Sequence, residues 1–247
     1  MLDKIKKYIK RYNQKKEVKR LKKASLLKLQ NLKNKYRYET IACIGTGPSI
    51  NEEDLTLLNG KVVILLNDAY KLLEKFNPKK AYCVVTDYLK LKEIRNKLLE
   101  INAEVFVSPN LTNSSEINLN LNYYRDFVFI EPYMKDFSYS RDFSFSKNLT
   151  KGIYLGNSVL FSAIQIASYM GAKKILILGC GFDYSKGYFD KKINQHAAPP
   201  ELDYANKMMK HFKEEVEKQG KKLIYCCMKG KIDCLKKIKL RRALGNE

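Results

Sequence analysis

From residue 40 onward, short continuously apolar runs alternate with stretches of helical periodicity, and this alternation restricts the fold more than any other feature. The runs lie at 40–45, 62–66, 81–86, 104–107, 127–130, 174–178 and 222–226. Strands apolar on both faces must be covered on both faces, which is the arrangement of a parallel sheet whose crossovers are helices. Helical patterns fall between them, at 52–58, 69–75, 88–101, 158–170, 204–219 and 232–244. Gly171 and Gly220 directly follow two of these and read as helix stops. The expected fold is α/β, a Rossmann-like, doubly wound, mostly parallel sheet. A chain of 247 residues is long enough to give that sheet a full core.

The first 38 residues differ. Fifteen Lys and Arg stand there against two acids, and they supply much of the formal net charge of +21. Ile5, Tyr8, Ile9 and Tyr12 recur at helical spacing, as do Val18, Leu21, Leu29, Leu32 and Tyr36. The segment reads as a basic amphipathic helix (1–38) in front of a catalytic domain at 39–247. It has two readings: a helix lying on an anionic membrane surface, or one packed on the body or on another subunit. The basic segment at the C-terminus allows the same choice. Nucleic acid is the rival partner for so basic a chain, but no recognised binding motif supports it. Six cysteines without a CxxC pair, and only two histidines, argue against a zinc site and for free core thiols. No apolar leader or membrane-spanning run is visible, so the expected location is the cytoplasm.

The first apolar run ends in Gly45-Thr46-Gly47-Pro48-Ser49-Ile50. A dinucleotide fingerprint needs a third glycine where Ile50 stands, and no GK[ST] follows to make a P-loop. Asn51 is the expected cap of the next helix, with Glu52, Glu53 and Asp54 in its first turn. Those acids disfavour a diphosphate on that helix end. The loop is expected to touch a nucleotide through its backbone amides and the Thr46 hydroxyl. The same run also reads as a tight turn that holds nothing. Asp68, about 20 residues on, sits where an acid would hold the ribose of a dinucleotide.

A second candidate loop, Gly156-Asn157-Ser158, precedes a strongly apolar helix and carries no acid in the first turn. Free amides at such an end can hold a phosphate, although an ordinary N-cap needs the same residues. The strand after that helix leads into Gly179-Cys180-Gly181-Phe182-Asp183-Tyr184, then Tyr188. The stretch 184–203 reads as a lid. Tyrosine hydroxyls there can donate to phosphate oxygens. His196 lies in the polar part of this lid, where a histidine can act as general base; His211 falls on a helix and reads as structural.

Taken in order, IACIGTGPSI, VVILLNDAY, GIYLGNSVLFSAIQIASYMGAKKILILGCGFDYSKGYFD, a loop histidine and KLIYCC form an ordered set. This set resembles the bacterial sialyltransferases of glycosyltransferase family 42. It also resembles the wider group that holds motility accessory factor glycosyltransferases and hydroxymethylpterin pyrophosphokinases. The resemblance spans most of 40–227. It implies a single GT-A-like domain with a lid, and inverting transfer from a CMP-sugar without a metal or other cofactor. It further implies Gly45, Thr46 and Gly47 at the nucleotide, Asn67 on the donor, and Gly156, Asn157 and Ser158 around the cytidine and sugar carboxylate. Tyr184 and Tyr188 would hold the leaving phosphate, and His196 would take the acceptor's proton. Thr46 stands where those enzymes commonly carry Asn. We add Asp87 and Gly181 as candidate donor contacts.

The expected activity is transfer of sialic acid, or a similar acidic sugar, from CMP-sialic acid or a related donor. The acceptor would be a glycan, a lipooligosaccharide or a protein, as in lipopolysaccharide biosynthesis at the inner-membrane surface. A homo-oligomer is allowed. The enzymatic alternative is an ATP- and Mg²⁺-dependent pyrophosphokinase using Asp68, Asp87 or Asp183. The non-enzymatic alternative is a membrane-surface binding protein.

Overall fold

In the computed structural model, residues 2–108, 121–133, 143–193 and 201–245 are described. The long helix α1 (Leu2–Leu32) comes first. The strands are β1 (Thr40–Ile44), β2 (Val62–Leu66), β3 (Lys80–Val85), β4 (Glu104–Val107), β5 (Val128–Phe129), β6 (Lys174–Leu178) and β7 (Lys222–Tyr225). They form one sheet in the order β5-β4-β3-β2-β1-β6-β7. Every pairing is parallel. Helix α2 (Tyr88–Glu100) joins β3 to β4, α3 (Val159–Tyr169) precedes β6, α4 (Leu202–Glu217) joins β6 to β7, and α5 (Leu240–Leu244) follows β7. The α/β, doubly wound expectation is met.

The continuous apolar runs divide their side chains between two faces. Ile41, Cys43, Ile64, Tyr82 and Ile177 point into a core shared with α3, α4 and the end of α1. Ala42, Ile44, Leu65, Cys83 and Leu178 point into a core shared with α2, α5 and several 3₁₀ turns. The period of two therefore fills both faces. All six cysteines are free thiols.

Helix α1 is part of this body from Leu21 onward. Leu21, Ser25, Leu29 and Leu32 are buried, spaced to share one helical face. The hydroxyl of Ser25 accepts the amide of Phe129 at 2.7 Å, so a side chain from α1 occupies a donor on the edge strand β5. Tyr8, Tyr12 and Leu27 are exposed. They lie roughly 140° round the helix from the buried face. The helix thus carries apolar side chains on two different faces. Among the described residues no helix is long and apolar enough to cross a membrane.

Three expected helices are corrected. Residues 52–58 fall into two 3₁₀ turns, Pro48–Glu52 and Leu55–Leu58. Asn51 sits inside the first of these rather than capping a helix; Gly47 precedes it, and Pro48 opens it. The Asp54 carboxylate caps the second by accepting from the Thr56 amide at 3.1 Å. The stretch 69–75 is a 3₁₀ helix, Asn67–Lys75. Only Leu240–Leu244 of 232–244 is helical. The preceding backbone follows β7 instead, with the Ile238 amide donating to the Tyr225 carbonyl at 3.0 Å.

Glu215 on α4 stands between Lys218 at 2.7 Å and Lys147 at 2.9 Å. Hydrogen bonds from Lys218 and then Lys147 pull its carboxyl down to about 2. A depressed carboxyl contributes stability that is present above its unfolded value of 4.5 and is lost as pH falls towards 2. Glu215→Gln should therefore narrow its stability deficit relative to the native chain between those two pH values. Urea denaturation at a series of pH values checks this; a deficit that stays constant down to the lower limit contradicts it.

Candidate functional site

The chain runs outward from β1 to β5 on one side, then resumes at β6 on the other side of β1. The order reverses between β1 and β6, and in sheets of this kind ligands bind outside the carboxyl ends of the strands at that point. Both glycine loops lie there. The Gly45 amide donates to the Leu178 carbonyl at 2.8 Å, and the Gly47 amide to the Gly179 carbonyl at 2.7 Å. A Cβ on Gly45 would strike the Cys180 thiol and sit 2.6 Å from the Gly179 carbonyl oxygen; one on Gly47 would sit 2.7 Å from that oxygen. These two glycines let the loops after β1 and β6 touch backbone to backbone. Their amides serve the fold, which corrects the expectation that they face a nucleotide. Thr46 is half-buried between them, and its carbonyl accepts the Phe189 amide at 2.8 Å.

The N-terminus of α3 is differently made. Gly156 and Asn157 both take left-handed conformations, at φ 61° and 56°. Ser158 caps the helix by accepting from the Leu160 amide at 3.4 Å. The first turn carries no acid. Phe161, one turn in, lies 6.3 Å ring to ring from Phe182, which lies 6.4 Å from Tyr184. Phe182 is itself left-handed, at φ 55°, an uncommon conformation for a bulky side chain. This ring series joins the α3 end to the loop after β6. Gly181 is in that loop, its carbonyl accepting the Lys231 amide at 2.7 Å.

The described part of the lid, 184–193, is fastened on two sides. Phe189 bonds the Thr46 carbonyl and accepts from the Asn51 amide group at 3.3 Å. Asp190 pairs with Lys71 at 2.7 Å. Burial, then the neighbouring Cys180 and Tyr188, push the Tyr184 hydroxyl well above its ordinary value. Burial also raises Tyr188; Asp68 adds to this and Lys90 opposes it. Both hydroxyls stay protonated near neutral pH and can donate to an anion. His196 lies in 194–200, outside the described residues.

At the carboxyl ends of β2 and β3 the structure brings together residues that sequence reasoning did not connect. Asn67 is left-handed at φ 52°, and its Oδ1 is buried with no hydrogen-bond partner among the described residues. Asp68 pairs with Lys90 at 2.9 Å, with side chains 4% and 6% exposed. Lys90 also pairs with Glu93 at 2.8 Å, and its amide donates to the Asp87 carboxylate at 2.7 Å. Burial disfavours the Lys90 charge, but Glu93 and Asp68 outweigh burial and hold the ammonium above the ordinary lysine value. Lys90 was lost among 47 basic residues. Its signal was position: it follows the Asp87 cap by three, at the mouth of the strand beside Asp68.

The aspartates of the pyrophosphokinase alternative are all engaged. Asp68 holds Lys90, Asp87 caps α2, and Asp183 meets Lys231 at 3.1 Å and the Ser185 hydroxyl at 2.6 Å. Among the described residues no group of three or more His, Cys, Asp or Glu gathers as a metal site.

Against known proteins, this chain matches the family model described as 6-hydroxymethylpterin diphosphokinase MptE-like over residues 12–187. No curated protein matches. Among solved structures, a MAf glycosyltransferase from Magnetospirillum magneticum AMB-1 is similar over 72% of this chain, at 15% identity and a TM-score of 0.38. The similarity covers 29% of that protein, so the chain spans less than a third of its length. The family match begins inside α1, takes in both glycine loops, the Asp68–Lys90 pair and the α3 end, and runs into the lid. It covers well over half of the sequence, and the chain belongs to the 6-hydroxymethylpterin diphosphokinase MptE-like family.

Proposed function

We propose that this protein is a transferase that moves an acidic sugar from a CMP-activated donor to an acceptor hydroxyl, with inversion and without a metal. The observation that carries this reading is the acid-free end of α3, joined through Phe161 and Phe182 to Tyr184 beside the switch point. A helix N-terminus free of acids favours an anion such as a phosphate or a carboxylate. The donor's anion would rest at Asn157 and Ser158. The unpartnered Oδ1 of Asn67 would accept from the ribose or base.

In the reaction, the acceptor oxygen attacks the anomeric carbon, the bond from that carbon to the phosphate oxygen breaks, and CMP leaves with the bonding electrons. Tyr184 and Tyr188 donate hydrogen bonds to the departing phosphate, which replaces the charge a metal would supply. His196 takes the proton from the acceptor. In the absence of acceptor, water fills that role and CMP is still released. Tyr184→Phe should lower the rate of CMP release from CMP-sialic acid by about 10²-fold with little change in KM, since the hydroxyl acts chiefly on the developing anion. Unchanged turnover in the variant refutes the role of Tyr184.

The family description supports a second reading, transfer of a diphosphate from ATP to a pterin alcohol. Among the described residues, the three aspartates of that alternative already carry lysine, amide or hydroxyl partners, and no cluster of His, Cys, Asp or Glu gathers to hold the divalent cation such a donor implies. The exposed face of α1, with Tyr8 and Tyr12 among basic residues, is the part suited to an anionic lipid surface that carries the acceptor.

A further inference from the structure

A groove of about 1200 Å³ lies on the far side of the lid from the switch point. One wall is the 3₁₀ helix Asn67–Lys75, and the other is the last turn of α2. Its near end is the lid segment 189–192, and its far end is formed by 76–81. The lid thus separates two spaces: Phe189 bonds Thr46 on one side and lines the groove on the other.

The lining combines three chemistries. Seven lysines stand against three carboxylates, so the wall carries four more positive charges than negative. Two of those carboxylates are already paired within the groove, Asp190 with Lys71 and Glu100 with Lys97. Lys79 pairs with Glu39 at 2.9 Å, and Lys75, Lys80, Lys191 and Lys192 stand against Glu74 alone. Tyr70, Phe76 and Phe189 supply aromatic surface, and burial pushes the Tyr70 hydroxyl up to about 12, so it remains a donor. Asn51, Asn77 and Asn102 supply amides that both donate and accept. Aromatic faces with amides suit the alternating apolar and hydroxyl faces of a sugar chain. The excess lysine charge suits acidic groups on it.

We propose that this groove binds an acidic oligosaccharide carrying carboxylate or phosphate groups, apart from the reacting centre. This binding does not depend on the transferase reading above. The full chain is titrated calorimetrically with tetragalacturonate, with the neutral maltotetraose, with a four-residue thymidine DNA and with CMP. The native chain should bind tetragalacturonate in preference to the other two oligomers. Lys75→Glu combined with Lys192→Glu should weaken tetragalacturonate binding about tenfold and leave CMP binding unchanged, which also shows that the variant is folded. Lys15→Glu combined with Lys16→Glu, on exposed positions of α1, should leave tetragalacturonate binding within about twofold. Equal losses from the two double variants, or none from the groove variant, overturn the proposal, since general basicity then explains the binding. DNA bound as tightly as tetragalacturonate also overturns it. Tetragalacturonate binding at the groove without any CMP binding keeps the groove and refutes the donor reading.

Discussion

Gly45→Ala will destabilise the protein by about 3 kcal/mol, at the upper end of ordinary overpacking, and lower its melting temperature by about 10 °C. The added methyl meets the Cys180 thiol and a backbone oxygen, that of Gly179 at 2.6 Å. The thiol can rotate, but the carbonyl cannot leave without breaking the bond it accepts from the Gly47 amide at 2.7 Å. Adding Cys180→Ala should therefore recover less than half of the loss. Differential scanning calorimetry of the single and double variants measures both quantities. A glycine kept only for approach to a phosphate predicts a different pattern: normal melting with nucleotide affinity lost. That pattern would contradict the backbone-packing account.

Lys90→Met has the other large expected effect, a loss of about 4 kcal/mol, because it leaves the Asp68 carboxylate buried without its cation. Asp68 is 3% exposed, and among the described residues its Oδ2 has no partner besides the ammonium at 2.9 Å. Adding Asp68→Asn removes the stranded charge and should recover most of the loss, as a double-mutant cycle by urea denaturation would show. The sign with pH follows from the raised Lys90 value. Its stabilisation is fully present below the unfolded lysine value and fades only as pH rises through the folded one. The deficit of Lys90→Met should consequently not change between about pH 7 and about 9. A loss below about 1 kcal/mol, the range of exposed pairs, would mean that the pair is solvated.

The sheet was legible because each strand is a continuous apolar run, and a parallel sheet buried on both faces leaves that pattern. The cap at Ser158 and the stops at Gly171 and Gly220 were legible for local reasons; the cap at Asp87 was not read as one. The 3₁₀ segments were not, since over one or two turns the apolar spacings of 3₁₀ and α-helix do not differ enough. The stretch before α5 was misread because its partner is β7, a tertiary pairing that no local pattern announces. The glycine loop was legible as a close approach but not as to what approaches: Gly45 and Gly47 meet the loop after β6, some 130 residues away in sequence. The Asp68–Lys90 pair depends on β2 and β3 being neighbours, which strand order supplies and residue spacing does not. Asn67 and the α3 end were chosen from sequence, and their backbones are left-handed.

The central claim is that a single-phosphate nucleotide binds at the carboxyl ends of β1 and β6, against the end of α3. The most direct test is calorimetric titration with CMP, and with ATP and Mg²⁺, each with and without EDTA, on the native chain and on Val159→Pro. Val159 is the first residue of α3, after an extended Ser158, so proline fits the backbone there and removes one free amide of the helix end. The account predicts CMP binding that EDTA does not affect and that Val159→Pro abolishes in a variant that still melts cooperatively. ATP binding that requires Mg²⁺, with no response to CMP, would contradict it and move the site to diphosphate chemistry.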